Sequence, residues 1–348
     1  MPRRMRRLGL LAVSAVVVLV GASSAVAALT PSFSATTTAQ ATVVAYAQQT
    51  GDDPLAAITF YVPVDYAARL AQPEGDVVGT VSGTGIAADL ANSPLQLKGN
   101  ITAAAPTTTV SFAGATVPLS TLATACTGTA THGAYWLLNL AAAGQTLQVP
   151  AYVDDVPLTI PLSSIANNTI TFCLPPPDVP AGTPGRAALG AKLVSATLNI
   201  TDVFSAAPQW YTWHATVTPY APGTGKANPA GTVEVQSVDR TPQQLTISAK
   251  LRKPGSVAVA GRLLAGGRAV PGAAVTILAG KRGVAKVTTK SNGSFAIVVK
   301  ASGAARFSAT TVVTPRKAAS CNAYFAPAPC AGTWVAGFTA TSVAVRAK

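Results

Sequence analysis

The chain holds only two histidines, His132 and His214, and two glutamates, Glu74 and Glu234, in 348 residues. Nucleophilic catalysis needs a base placed beside a serine or cysteine. His132 lies in Thr-Ala-Thr-His-Gly-Ala, which reads as a turn, and His214 lies on an aromatic strand; no Gly-x-Ser-x-Gly elbow accompanies them. Glycoside hydrolysis needs two carboxylates at a set separation. Beyond the glutamates, Asp52-Asp53, Asp154-Asp155, Asp65 and Asp76 are available. Adjacent aspartates on a strand point to opposite faces, so neither pair is a dyad. A calcium site built from Asp154, Asp155 and carbonyls has no ligand-loop motif behind it. A hydrolase is therefore disfavoured, and no catalytic, cofactor-binding or metal-binding residue is assigned.

Two clusters could bind rather than react. Gln209-Trp210-Tyr211-Thr212-Trp213-His214 is the densest aromatic run. On a strand, Trp210 and Trp213 face opposite sides, and either is a candidate glycan contact, with core packing the competing reading. The second cluster is basic. Lys250, Arg252 and Lys253 leave one strand, and Lys281, Arg282, Lys286 and Lys290 surround a hairpin. They are candidate polyanion contacts, because residues 242–348 carry fifteen basic and no acidic side chains. Such a field attracts anionic wall polymers or acidic glycans over long range. A solvated face that aids solubility is the bland alternative. Nucleic acid ranks last, since stacking aromatics are sparse there.

The elements that carry these residues read as β throughout. Hydrophobic residues make up 49% of the chain, aromatics 6% and charged residues 11%, against about 25% charged in an average soluble protein. That composition excludes a charged disordered tail and a coiled coil. Short Val-, Thr- and Ile-rich runs separated by Gly, Pro and Asn predict strands from Thr42 onward, Ala56–Val62 being the first candidate, with Tyr66–Ala71 as one helical turn and 29–40 as an exposed lead-in. No stretch keeps a helical period. Residues 28–241 carry twelve acidic and six basic side chains, for a net −6. The abrupt change of sign places a domain boundary near Thr241-Pro242. The expected fold is all-β: two β-sandwich domains, 28–241 and 242–348, after a signal peptide at 1–27.

Arg3, Arg4, Arg6 and Arg7 precede the apolar run Leu8–Val20 and then Ala25-Val26-Ala27. This is a secretory signal with cleavage after Ala27. The alternative is an uncleaved anchor, as Leu8–Ala28 is 21 uncharged residues, about long enough to span. No later run reaches that length. Cys126, Cys173, Cys321 and Cys330 allow three pairings, and the proposed domains favour Cys126–Cys173 with Cys321–Cys330.

Val259-Ala-Gly-Arg-Leu-Leu-Ala-Gly-Gly-Arg-Ala-Val-Pro-Gly-Ala-Ala-Val-Thr-Ile277 is followed by Thr288-Thr-Lys-Ser-Asn-Gly-Ser-Phe295. Over roughly residues 245–315 this resembles the carboxypeptidase regulatory-like and bacterial Ig-like β-sandwich domains. The resemblance implies an Ig-like or prealbumin-like module, a tight turn at Asn292-Gly293, and a spacer or binding role without peptidase activity. The Cys321–Cys330 insertion and the absence of acidic residues depart from the pattern. Residues 29–241 resemble only, in style, secreted proteins of GC-rich, actinobacterial genomes.

The expected protein is secreted and non-catalytic, an envelope or extracellular interaction protein whose basic domain meets an anionic polymer. A carbohydrate-binding module using the Trp210–Trp213 strand is the alternative. Nothing in the sequence sets the ligand or the oligomeric state.

Overall fold

The computed structural model describes residues 29–38, 41–253, 255–301, 305–319, 321 and 323–348. The expected signal and its cleavage point lie outside them. The protein is all-β. Its first strands are β1 (Ser32–Thr37), β2 (Ala41–Ala47), β3 (Leu55–Pro63), β4 (Tyr66–Ala68), β5 (Val77–Ala87) and β6 (Ser93–Ala104). The hairpin β7 (Thr109–Phe112) and β8 (Ala115–Pro118) leads into the helix α1 (Leu119–Thr127). Then come β9 (Ala134–Ala142), β10 (Gln145–Asp155), β11 (Ala166–Cys173), β12 (Ala191–Thr201), β13 (Phe204–Ala206), β14 (Trp210–Pro219) and β15 (Val233–Arg240).

The second half begins with β16 (Gln243–Lys253), β17 (Ser256–Ala265), β18 (Arg268–Ala269), β19 (Ala274–Ala279) and β20 (Arg282–Thr288). It continues with β21 (Ser294–Lys300), β22 (Arg306–Val313), β23 (Arg316–Ala319), β24 (Cys330–Val335), β25 (Phe338–Thr341) and β26 (Val345–Arg346). No helix among the described residues is long and apolar enough to cross a membrane.

One sheet dominates, in the order β1-β2-β12-β5-β6-β9-β10-β11-β3-β14-β15-β24-β23. Alternation decides its faces: in β6, Leu95, Leu97, Ile101 and Ala103 are buried while Gln96, Lys98 and Asn100 are exposed, as a half-buried strand requires. Close approach shapes the bend. A Cβ at Gly99 would collide with the Asn139 carbonyl oxygen, so only glycine lets β6 and β9 lie this near. The sheet rolls over until β1 meets β15, and strands from all round it share one apolar core. That seam is made by side chains. Ser237 Oγ accepts from Ala35 N–H at 3.0 Å, and Asp239 accepts from Thr37 N–H at 2.8 Å and the Thr36 hydroxyl at 2.9 Å.

Three expectations change here. Residues 32–37 are a buried strand rather than a lead-in, because Ser34, Thr36 and Thr37 find polar partners inside the seam. Tyr66–Ala68 is a strand paired with β13, with no helical turn. Leu119–Thr127 is a helix: Leu119 and Ala123 are buried on its inner side, and Gly128 ends it at φ 82°.

The second unit packs two sheets over their own core. One holds β16, β17, β18 and β21; the other holds β20, β19, β22, β25 and β26. Gly293 takes φ 78°, where a Cβ would meet the Leu263 carbonyl oxygen at 2.5 Å. The Asn292-Gly293 turn is thus a crossover between sheets, from β20 to β21, and no hairpin. Residues 316–335 leave this unit. The antiparallel pair β23 and β24 joins the first sheet, with β24 parallel to β15. The disulfide Cys321–Cys330, with Cα atoms 5.8 Å apart, closes the connecting loop. Cys126–Cys173, also at 5.8 Å, ties α1 to the end of β11.

Candidate functional site

The two histidines sit in formed hydrogen-bond networks. His132 Nδ1 lies 2.7 Å from Asp154 Oδ2, and its Nε2 lies 3.0 Å from Thr127 Oγ1. This chain of contacts has the order of a catalytic triad. Its parts are otherwise engaged. The Thr127 hydroxyl donates to the Ala123 carbonyl at 2.9 Å, and the His132 side chain is 1% exposed. The arrangement fastens the end of α1 to β10. Asp155 turns away and accepts from Asn168 at 2.6 Å.

His214 Nδ1 lies 2.7 Å from Glu234 Oε1, and the Glu234 side chain is fully buried. Gln236 Nε2 donates to the same oxygen at 2.8 Å, and the Tyr324 and Phe325 amides donate to Oε2 at 2.6 and 3.1 Å. Burial alone would raise the Glu234 carboxyl; the hydrogen bonds from His214, Gln236 and the two amides outweigh it and hold the group below its usual range. Oε1 thus ties β14 to β15, while Oε2 seats the Cys321–Cys330 loop, whose Phe325 stacks on Tyr61 with centroids 4.4 Å apart.

The tryptophans part company. Trp213 is fully buried, donating its indole N–H to Tyr66 Oη at 3.1 Å. As a glycan contact it is corrected, since no ring face reaches solvent. Trp210 lies at the joint between the two units and donates to the Gly266 carbonyl at 3.2 Å. The Arg240 guanidinium lies 4.6 Å and the Arg268 guanidinium 4.2 Å from its ring centroid. Cation–π contact of this kind holds a guanidinium in place while leaving its in-plane donors directed outward.

Burial, then the charges of Arg316 and Arg268, pull the Arg240 guanidinium below its ordinary value. Buried Arg240 Nε has no hydrogen-bond partner. The ion pairs among the described residues are His132–Asp154, Arg186–Asp89 and His214–Glu234, so no carboxylate pairs with these arginines. Two guanidiniums thus flank a half-exposed indole, Arg316 lies near enough to act on the charge of Arg240, and no carboxylate among the described residues pairs with any of the three.

The residues singled out from the sequence are dispersed. Lys250 and Arg252 are exposed on β16, and Lys253 ends that strand. Lys281, Arg282 and Lys286 are exposed on the β19–β20 side of the opposite sheet, where Lys286 stands beside Thr276. Lys290 occupies the crossover turn. Charge counting located the basic unit but missed Arg240, Arg268 and Arg316, which are far apart in sequence. The one available signal was a lone arginine, Arg240, following Asp239 just before the boundary.

No family model matches the sequence, and no curated protein does.

Proposed function

We propose that the protein is a secreted, non-catalytic envelope or extracellular interaction protein that holds an anionic wall polymer or acidic glycan. The observation that carries the reading is the pair of guanidiniums, Arg240 and Arg268, on the Trp210 ring, with Arg316 near enough to act on the Arg240 charge and no carboxylate among the described residues paired to any of them. Guanidinium forks suit carboxylate, sulfate and phosphate geometry. The fifteen cations of 242–348 would bring a polyanion to that joint, and the arginines would fix it there. The Ig-like resemblance and the two disulfides support a spacer or binding module made for an oxidising compartment.

The test is retention on immobilised heparin across a NaCl series, comparing the native chain with Arg268→Gln/Arg316→Gln. Screening shortens to about 3 Å at 1 M salt. Retention should therefore vanish with salt, and the double variant should elute well before the native chain. Retention that ignores salt, or a variant that elutes with the native chain, overturns the proposal.

A further inference from the structure

The first sheet is wider than its side chains can fill. Eight neighbouring strands, from β2 round to β3, line a cavity of about 320 Å³ inside the roll. Small-molecule sites run from about 300 to 1,000 Å³ and are mostly apolar, with a few polar groups at defined places. Ile58, Phe60, Leu97, Leu138, Leu140 and Phe172 form walls of this kind. A large sheet of alanine, valine and glycine closes around too little side-chain volume, and a rolled sheet of this width keeps its interior open.

The strand that borders the opening shows the effect. Along β12, Ala191 to Thr197 lose the alternation seen at Leu198 and Ile200, all being part-exposed. A register shift between Leu193 and Ser195 changes the phase, so that Leu193 joins Leu198 in the lining. Such bulges re-aim side chains. On the facing rim, Leu147 and Val149 are also part-exposed. The β7–β8 hairpin reaches across, with Ser111 N–H donating to Gln148 Oε1 at 2.8 Å.

The charge at the opening selects among ligands. Lys192 is the one charged side chain in the lining among the described residues. Its ammonium already donates to the Thr50 carbonyl at 2.9 Å and to the Asp52 carbonyl. Asp52, Asp53 and Asp178 lie near enough to act on its charge, and none of them lines the cavity. The one cation of the lining is thus held by two carbonyls and balanced by carboxylates behind it, so an acidic headgroup finds no free countercharge there.

We propose that the rolled first sheet binds an uncharged single-chain lipid, tail among the Leu and Phe walls and polar end at the Gln145–Gln148 rim. Apolar cavities stay dry and take apolar guests, and burial of the chain supplies the free energy. This site is separate from the arginine cluster, and either can stand without the other.

The probes are dodecanol and dodecanoate, titrated into the full chain by calorimetry at neutral pH. Dodecanol should bind saturably, one per chain, with the negative heat-capacity change of apolar burial. Dodecanoate should bind at least roughly tenfold more weakly, a difference of about 1.4 kcal/mol. Leu193→Trp, which fills the opening, should weaken dodecanol binding without lowering the melting temperature. Absence of saturable dodecanol binding, or dodecanoate binding as tight as the alcohol, overturns the proposal on the native chain alone. A Leu193→Trp protein that melts like the native chain and binds dodecanol equally also overturns it.

Discussion

Asp239 shows what a single buried carboxylate does at a seam. Burial raises its pKa to about 6, while the Thr37 amide and Thr36 hydroxyl oppose that rise. A raised acid is more easily protonated in the fold than in the unfolded chain. Its contribution to stability is therefore full below about pH 4 and lost as pH rises through about 6, amounting to roughly 3 kcal/mol. Asp239→Asn should flatten the dependence of unfolding free energy on pH between those limits, measured by urea titration at several pH values. An unchanged slope would show that the seam does not titrate there. Glu234 has the opposite sign. Its carboxyl is held low, so the stability it lends is present at neutral pH and lost on strong acidification. Glu234→Ala leaves His214 and two loop amides without their acceptor. Each stranded buried group costs about 1–3 kcal/mol. The variant should unfold at lower urea, and the amides of Tyr324 and Phe325 should exchange faster.

At the scale of elements, β1 gives the sharpest contrast between sequence and structure. Phe33 is 1% exposed and stacks on Phe60 at 5.5 Å between ring centroids. Phe33→Ala should cost about 3–5 kcal/mol, as for a buried core aromatic; an exposed lead-in would lose almost nothing. Ser-Phe-Ser-Ala-Thr-Thr reads as linker because its polar residues have no local reason to be buried. Asp239, which binds Thr36 and Thr37, and Ser237, which takes the Ala35 amide, lie some two hundred positions away. The regular strands were legible for the converse reason. Alternation in β6 or β16 is a local pattern and survives without knowing the neighbours. Helix α1 escaped detection because nine residues give too few turns for a period to stand out. Both disulfides followed from the boundary. The arginine cluster did not, since its members come from β15, β18 and β23 and meet only through tertiary packing.

For the whole molecule, the charge boundary and the structural boundary differ. Composition changes sign at Thr241-Pro242, yet β23 and β24 return from beyond it to cover β15. Glu234 and the Tyr61–Phe325 stack hold that return in place. Thr333→Pro in β24 removes a ladder donor. Amide exchange should then rise first along Val233–Arg240, with the β17 amides of the second unit unaffected. Faster exchange in β17 with β15 unchanged would assign residues 316–335 to the second unit instead.

The parallel contact between β15 and β24 also bears on how the chain matures. A polypeptide emerging from its ribosome delivers β15 long before β24. Until the final stretch arrives, the earlier sheet has a bare margin whose amides and carbonyls have no cover. Synthesis therefore runs ahead of closure, and any chaperone that escorts this protein would meet that margin for as long as the basic unit takes to appear.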